Sequence, residues 1–348
     1  MNGGTLYDRP LRLCSHVHPG SKRVPSKTMT VAYFKKLSDR EAAVRKLERI
    51  ASENLHNTLR LLKHNKAYDI MVYRLSSKLI PLFGHELLKD WRPIKALQES
   101  FQAIGEYSRK YGMRLSFHPD HFTVLSTPRK EVLEHSQQDL GRHVSMLHAM
   151  GLGEESKCNI HIGGMYGDKQ KSGERFVRQF GALPWEIRRH ITLENDDKTY
   201  TALETLEIAE QVGTPMVLDL HHHTVNNPGG ESPEELWPRI AKTWEGQPLI
   251  PFAPSLSAFA ALSGEEKVPL PPKIHLSSPK SEKDALSHAD FVGVEPLLPF
   301  LKAIAPATPR LDIMIEAKMK DQALLKLMED LQREGIRAAG QAAVEIPG

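Results

Sequence analysis

The chain has 348 residues, of which 40% are hydrophobic, so it can bury one large core of the size that a single barrel needs. Lysine and arginine outnumber aspartate and glutamate by only three, 46 against 43, which excludes a polycation but allows a local basic face. We therefore expect one domain over residues 1–348, with peripheral tails at 1–10 and 340–348.

Cysteine usage and apolar runs bear on the compartment. Cys14 and Cys158 have neither CxxC spacing nor enough partners for a disulfide framework, which is typical of a reducing environment. No apolar segment follows the N-terminal basic residues in the manner of a signal peptide, and no apolar run is long enough to span a bilayer. These features predict a soluble, cytoplasmic protein without a membrane partner.

Short β-rich runs alternate with helical patterns along the whole chain. The predicted strands are 11–15, 70–75, 114–118, 159–162, 191–194, 216–220, 273–276 and 312–317. The predicted helices start at Asp39, cover 94–111, 132–150 and 322–335, and begin at capping boxes near Thr201 and Ser232. Residues 246–272 are rich in proline and predict an insertion before the seventh strand, on the outside or bottom of the barrel.

Six of these strands run directly into a side chain that binds metals well. The pairs are Phe117-His118, Ile160-His161, Leu193-Glu194, Leu218-Asp219, Ile274-His275 and Ile315-Glu316. In a (β/α)8 TIM barrel, the C-terminal ends of all strands meet at one rim. The alternation therefore predicts a single α/β TIM barrel with a metal cluster at the C-terminal rim of its strands.

The chemical types of the predicted ligands limit which metal can bind. Imidazole and carboxylate together suit manganese, zinc or iron, and six such groups exceed the four ligands of a structural zinc, so more than one ion is expected. A single histidine at a strand end is more often an ordinary hydrogen-bonded residue, and Glu194 and Glu316 could form rim ion pairs. Six groups at equivalent positions favour the metal, because a charge directly after an apolar run needs compensation.

The run from Asp219 to His223 leaves two alternatives open. Strict strand alternation places Asp219, His221 and His223 on one face, which favours His221 as the ligand. If the strand ends at Leu220, the chain turns there and Asp219 can act together with His222.

Longer motifs resemble those of the UV damage endonuclease family. They are YRLSSKLIPLFGH (73–85), LSFHP (115–119), NIHIGGMYGDK (159–169), TLENDDKTYT (192–201), KIHLSSPKSE (273–282), SHAD (287–290) and MIEAKMKDQALLKLM (314–328). The resemblance implies an ATP-independent repair nuclease on a TIM barrel similar to endonuclease IV. Such an enzyme nicks double-stranded DNA immediately 5′ of cyclobutane pyrimidine dimers and 6-4 photoproducts, leaving 3′-hydroxyl and 5′-phosphate ends.

The resemblance also implies a set of site residues. The metal ligands would be His85, His118, His161, Glu194, Asp219, His222, His275, His288 and Glu316, where the family's DxxH pattern selects His222. They would hold two or three ions, with Mn2+ expected and Zn2+ or Mg2+ as alternatives. Glu194, Lys273 and Glu316 are the predicted catalytic residues, and Lys273 matches a family lysine that can be carboxylated.

Four residues are predicted to contact DNA or the lesion: His121, Phe122, Tyr166 and Lys169. Family members usually carry a glutamine and an aromatic residue after the HP motif, whereas this chain has His121 and Phe122, so its lesion range is open. Phe122 could stack in place of displaced bases or merely pack its loop. We expect a monomer without an obligate protein partner.

Three other functions fit parts of the pattern. An endonuclease IV-type enzyme for abasic sites would share the barrel, the metals and the DNA substrate. A sugar isomerase would also use a metal barrel, but with fewer histidines. A non-catalytic damage-binding protein would need only one closed metal site, which the surplus of ligands disfavours.

Overall fold

The computed structural model describes residues 11–15, 27–251 and 267–347, the first segment by its backbone alone. Its strands are β1 (Leu11–Ser15), β2 (Val72–Leu75), β3 (Arg114–Phe117), β4 (Lys157–His161), β5 (Ile191–Glu194), β6 (Met216–Asp219), β7 (Leu249–Pro251), β8 (Lys267–Pro269), β9 (Lys273–Leu276), β10 (Pro279–Ser281), β11 (Asp284–His288), β12 (Asp312–Ile315), β13 (Arg337–Gly340) and β14 (Ala343–Glu345). Its helices are α1 (Val31–Lys36), α2 (Arg40–Ala67), α3 (Pro93–Ala96), α4 (Gln98–Lys110), α5 (Lys130–Ala149), α6 (Lys169–Gly181), α7 (Trp185–Arg188), α8 (Ala202–Val212), α9 (Leu220–Val225), α10 (Pro233–Lys242), α11 (Leu297–Ile304) and α12 (Asp321–Arg333).

Parallel strands form a nearly closed barrel in the order β1-β12-β9-β6-β5-β4-β3-β2. The two ends of this order, β1 and β2, approach each other to Cα distances within 8 Å. The register pairs His161 with Glu194 and Asp219 with His275, so the C-terminal ends of neighbouring strands lie at the same height. The predicted α/β barrel is therefore confirmed, and the strand ends form one rim.

Polar side chains fill much of the barrel interior, because every second residue of a strand points to the same face. At the N-terminal end of the strands, the Arg114 guanidinium pairs with the Asp312 carboxylate at 2.8 Å. In the middle, Lys273 Nζ donates to Ser116 Oγ at 3.3 Å. The predicted imidazoles and carboxylates of the strand ends form the layer above, at the C-terminal rim.

Local backbone geometry changes some predicted boundaries. The helix predicted at 94–111 is divided into α3 and α4 by Leu97, whose φ of −117° and ψ of 20° depart from helical values. The sixth strand ends at Asp219, one residue earlier than predicted, because Asp219 caps the N-terminus of α9. Helices α6, α7 and α11 and the β10–β11 hairpin were not predicted individually.

The predicted insertion, 246–272, contains the antiparallel pair β7 and β8, while residues 252–266 lie outside the described part of the chain. Gln247 accepts a hydrogen bond from Lys157, the first residue of β4, so the start of this segment lies at the N-terminal end of the barrel. The C-terminal segment predicted as a tail includes β14, which pairs antiparallel with β1.

The main core lies between the barrel and its helices and includes the buried thiol of Cys158. The side chain of Cys14 lies outside the described atoms. Within the described ranges, none of the helices is both long enough and apolar enough to cross a lipid bilayer.

Candidate metal centre

The barrel rim brings five of the predicted ligands into two overlapping groups. Donor atoms of His118, His161 and Glu194 lie within 4.8 Å of one another, and so do those of Glu194, Asp219 and His222. These groups come from the ends of β3, β4, β5 and β6 and from the first turn of α9. Glu194 belongs to both groups, so its two carboxylate oxygens can serve two neighbouring ion positions.

Glu194 is only 1% exposed and is surrounded by polar partners. Its Oε2 lies 3.3 Å from His118 Nε2, and its Oε1 lies 3.1 Å from His275 Nδ1. The side-chain amide of Asn159 also donates to Oε2. A carboxylate this deeply buried is stable only with such hydrogen bonds and compensating positive charge.

Three rim histidines share one ring orientation. Nδ1 of His118 lies 3.0 Å from the Pro119 carbonyl oxygen, Nδ1 of His161 lies 3.2 Å from that of Glu194, and Nδ1 of His222 lies 2.9 Å from that of Asn195. A carbonyl oxygen can only accept, so each Nδ1 must carry the proton. In a neutral imidazole with its proton on Nδ1, Nε2 keeps its lone pair and can bind a metal; without an ion, His118 Nε2 needs a proton of its own to hydrogen-bond to Glu194 Oε2.

The geometry at the start of α9 determines which of the three consecutive histidines lies beside Asp219. Asp219 caps this helix through a 2.7 Å hydrogen bond from the backbone N–H of His222, which brings the two side chains together. His222 Nδ1 lies 3.8 Å from Asp219 Oδ2 and 3.7 Å from Glu194 Oε1. His221 instead faces His288, with ring centroids 5.8 Å apart. The geometry thus groups Asp219 with His222 and not with His221, against strict strand alternation.

Glu316 and two further histidines form the opposite side of the rim. Glu316 Oε1 lies 3.2 Å from His275 Nδ1 and also accepts a hydrogen bond from Arg74. His288, at the end of the β10–β11 hairpin, places its Nδ1 3.9 Å from Glu316 Oε2. Glu194 and Glu316 are thus connected through His275, which lies between them.

The charged groups at the rim shift one another's pKa values. Burial by itself lowers the pKa of His275, but the charges of Glu194 and Glu316 and their hydrogen bonds raise it to about 9. Burial raises the pKa of Glu194, yet the neighbouring His275 and His161 hold it well below the usual value. Burial also raises the pKa of Glu316, and Arg74 and His275 outweigh that effect. The carboxylates are thus kept ionised and need positive charge beside them.

Asp219 offers a direct test of whether a cation fits. Its carboxylate is fully buried, and its Oδ2 has no hydrogen-bond partner among the described residues. A buried carboxylate oxygen without a donor is costly, and a cation is the partner that the surrounding Nε2 and carboxylate atoms can also bind. Imidazole and carboxylate donors of this kind suit Mn2+ or Zn2+. The residues present therefore fit a metal centre.

Two other predicted residues lie outside these groups. His85 caps a short 3-10 turn, where its Nδ1 accepts a hydrogen bond from the Leu87 N–H at 3.1 Å, and it lines a surface cavity of about 1460 Å3. Lys273 is 1% exposed and precedes His275 by two residues on the same strand. Its Nζ donates to Ser116 Oγ, one layer below the rim.

The predicted DNA-contacting residues lie on rim loops. Phe122 is 72% exposed, and its ring lies 4.0 Å from that of His121. Tyr166 is 42% exposed in the loop between β4 and α6. Lys169 begins α6, and its Nζ forms a 2.6 Å ion pair with Glu204, so its charge is already partnered. His121, Phe122 and Tyr166 are thus the exposed members of the set.

Several residues that support the site were not identified from the sequence. They are Arg74, Asn159 and Thr192, which hydrogen-bond to Glu316, to Glu194 and to Asn159 respectively. Asn159 and Thr192 each precede a predicted ligand by two residues. That spacing on a strand is the signal that could have found them, because it places them on the same inward face.

Comparison with known proteins agrees with this architecture. The family model described as UV-endonuclease UvdE matches residues 13–346. A UV DNA damage endonuclease of Halalkalibacterium halodurans is 43% identical over 324 residues, 92% of this chain and 94% of the relative. One of Bacillus pumilus is 41% identical over 322 residues, 92% and 93% of the two chains. The crystal structure of SacUVDE superimposes with a TM-score of 0.75 at 26% identity, over 93% of this chain and 99% of that one. The chain therefore belongs to the UV-endonuclease UvdE family.

Proposed function

We propose that this chain is a metal-dependent, ATP-independent endonuclease that hydrolyses the phosphodiester bond immediately 5′ of cyclobutane pyrimidine dimers and 6-4 photoproducts. The products are 3′-hydroxyl and 5′-phosphate ends. The observation that carries the proposal is the carboxylate of Glu194, shared by two groups of ligands at the rim of a barrel of this family. The relatives named UV DNA damage endonucleases support the substrate. The enzyme acts on double-stranded DNA as a monomer in the cytoplasm, without an obligate protein partner.

The two overlapping groups, which share Glu194, would hold two ions. The remaining predicted ligands would complete the coordination of these ions and hold a third ion. They are His85, His275, His288 and Glu316. Mn2+ is the expected ion, with Zn2+ or Mg2+ as alternatives. When bound, the ions supply Lewis acidity, which polarises the scissile phosphate and stabilises charge on the attacking and leaving oxygens.

The chain's own residues would orient the centre. Glu194 and Glu316 are the proposed catalytic carboxylates, and buried hydrogen bonds from Asn159 and Arg74 keep them ionised and fixed in place. Lys273 is the third proposed catalytic residue, in a carboxylated form. Carboxylation would replace an ammonium inside the barrel by a carbamate anion, which removes its repulsion toward cations above it.

Lesion recognition would rely on the exposed rim loops. The Phe122 ring would stack where bases are displaced, and His121 would replace the amide that relatives carry there. Thr123 Oγ1 donates to Asp139 Oδ2 at 2.7 Å, which ties this loop to α5 and supports a rigid position for the ring. Tyr166 would contact the same DNA, and Lys169 would exchange Glu204 for a phosphate. A photoproduct weakens stacking, so opening the duplex costs less there.

The test is incision of an end-labelled duplex that carries one defined thymine dimer. With Mn2+, the wild-type protein should cut immediately 5′ of the dimer, and excess chelator should stop the reaction. The Glu194→Gln protein should not cut, because it loses the shared anionic ligand. A matched duplex with an abasic site is the comparison: preferred cutting there would instead favour an endonuclease IV-type activity. No cutting of either damaged duplex would refute the proposal.

A further inference from the structure

Two rim loops that carry exposed aromatic rings are joined by one side chain, Arg175 of α6. Its Nε donates to the Ser126 carbonyl oxygen at 2.6 Å, in the loop between β3 and α5 that also carries Phe122. Its guanidinium carbon lies 5.7 Å from the ring centre of Tyr166, in the loop between β4 and α6. Arg175 therefore contacts both loops at once.

Tight backbone packing between the loops supports this coupling. Gly163 has a φ of +111°, and a Cβ built on it would lie 2.5 Å from Ser126 Oγ and 3.2 Å from a methyl carbon of Val124. Ser126 Oγ also lies 3.4 Å from the Gly164 carbonyl oxygen, which accepts a 2.6 Å hydrogen bond from Ser172. Only a residue without a side chain allows this approach, so the loops pack as one unit.

Tyr166 itself is held in an unusual conformation. Its φ of +47° places a bulky aromatic residue in the left-handed region, while its side chain remains 42% exposed. Such a backbone conformation is unfavourable for a bulky residue and persists only where surrounding contacts enforce it. Within the part of the chain that the structure describes, Tyr166 is not one of the residues that pack against the hydrophobic clusters. The neighbouring Met165 is 55% exposed as well, so this loop presents apolar surface to solvent.

Among the described residues, no carboxylate oxygen lies within 4.0 Å of the Arg175 guanidinium. Lys169 and Lys171 of the same helix, by contrast, form ion pairs with Glu204 and Asp168. The polar contact of Arg175 is to a backbone carbonyl, and its guanidinium carbon lies over the Tyr166 ring. To make both contacts, the side chain needs a planar charged group and an N–H donor at Nε. Arginine has both, and lysine lacks them.

We propose that Tyr166 and Phe122 form one stacking surface for the unstacked bases at a photoproduct, and that Arg175 is the positioning residue that holds the Tyr166 loop against the Phe122 loop. The inference rests on the proposed function and adds a second ring and its support to the recognition of the lesion. Bases stack on aromatic side chains largely independently of sequence, which suits recognition of distorted DNA. Because their loops are held together, the two rings can also distinguish an opened site of matching geometry from other DNA.

The experiment is a double-mutant cycle between Tyr166→Ala and Arg175→Met, with kcat and KM measured on the thymine-dimer duplex by the Mn2+-loaded enzyme. We expect each single variant to raise KM about tenfold, in the range that one base–aromatic contact contributes, while kcat changes less than about threefold. The double variant should exceed the larger single effect by no more than about twofold, because both substitutions disrupt the same contact. Additive effects in this cycle would overturn the inference.

Two further variants separate positioning from simple charge. Arg175→Lys keeps the positive charge but not the planar donor, so it should resemble Arg175→Met; restoration of the wild-type KM by lysine would overturn the proposal. Arg178→Met removes an equivalent charge from the exposed side of α6 and should retain the wild-type KM. If the wild-type enzyme itself does not cut the dimer duplex, the proposed function fails; if it cuts and the cycle is additive, only this inference fails.

Discussion

The side-chain amide of Asn159 donates to Oε2 of Glu194, the carboxylate that both candidate ion positions share. Thr192 Oγ1 donates to Asn159 Oδ1 at 2.8 Å. Since Oδ1 accepts from Thr192, the amide nitrogen must face Glu194, and the orientation of the amide is determined. All three side chains are buried, so no water replaces these bonds at low cost.

Removal of the Thr192 hydroxyl should therefore weaken metal binding. In Thr192→Val, the amide of Asn159 loses the bond that orients it, and Glu194 is held less well. We expect the affinity for Mn2+ to fall about tenfold or more, the usual effect of losing a group that orients a ligand. Titration of the metal-free protein with Mn2+, with the free ion followed by electron paramagnetic resonance, measures it.

Two controls accompany this substitution. Thr192→Ser keeps the hydroxyl and should bind Mn2+ like the wild type. Thr205→Val makes the same chemical change at another buried threonine, whose hydroxyl has no hydrogen-bond partner among the described residues. It should leave Mn2+ affinity unchanged. Equal losses in Thr192→Val and Thr205→Val would show that the hydrogen bond from Thr192 does not orient the site.

Bound ions should also stabilise the fold. The rim gathers buried, ionised carboxylates, and cations that bind only the folded chain shift unfolding by mass action. At 100 times the dissociation constant, Mn2+ should add about 3 kcal/mol, which raises Tm by roughly 4 °C in a chain of this length. Differential scanning calorimetry with and without chelator measures the shift. In Glu194→Gln the shift should be much smaller; an undiminished shift would place the stabilising ion elsewhere.

The ion pair between Arg114 and Asp312 should matter for stability and not for the metal. Both side chains are about 5% exposed, and they begin β3 and β12 at the end of the barrel opposite the rim. Asp312→Ala leaves a buried guanidinium without its partner and should cost about 3–5 kcal/mol of unfolding free energy. Urea unfolding measures the loss. The double variant Arg114→Met with Asp312→Leu should recover most of it, and Mn2+ affinity should stay at the wild-type value in both.

Lys157 should make stability rise with pH above neutrality. Burial lowers the pKa of Lys157 from 10.5 to about 7, and the charge of Arg114 acts in the same direction. Between pH 7 and 10.5 the unfolded chain therefore holds a proton that the folded chain has released, so unfolding becomes less favourable as pH rises through this window. Below pH 7 both states are protonated, and the cost of the buried charge is fully present.

The substitution Lys157→Met removes this titration. From pH 7 to 9.5, the wild type should gain about 3 kcal/mol of unfolding free energy relative to the variant. Urea unfolding of both proteins at the two pH values gives the difference. Parallel pH dependence of the two proteins would mean that Lys157 stays charged in the fold, supported by its bonds to the Arg189 carbonyl oxygen and Gln247.

Phe122 should matter for lesion recognition and not for stability. Because the side chain is 72% exposed, Phe122→Ala should change unfolding free energy by less than about 0.5 kcal/mol. The same substitution should reduce kcat/KM on the thymine-dimer duplex about tenfold or more, because the ring can no longer stack in the opened site. Loss of stability together with activity would instead indicate that the ring only packs its loop.

The sequence by itself determined the barrel and predicted a metal site at its rim. Hydrophobic runs of strand length, most of them followed by a helical pattern, predicted the parallel strands, and the residues at the ends of six of these runs were the predicted rim ligands. This works because the C-terminal ends of parallel strands converge whatever the details of packing. The pairing of Asp219 with His222 followed from the family resemblance, whereas alternation alone favoured His221.

Only the tertiary structure decided how these residues act together. Asp219 ends its strand because its side chain caps α9, and that turn brings His222 to the site. The hydrogen bonds from Asn159 and Arg74 to the two carboxylates, and the contact of Arg175 with two loops, join residues that are distant in sequence. Periodicity along one strand shows which residues face inward, but it does not show the register that decides which residue of another strand each of them meets.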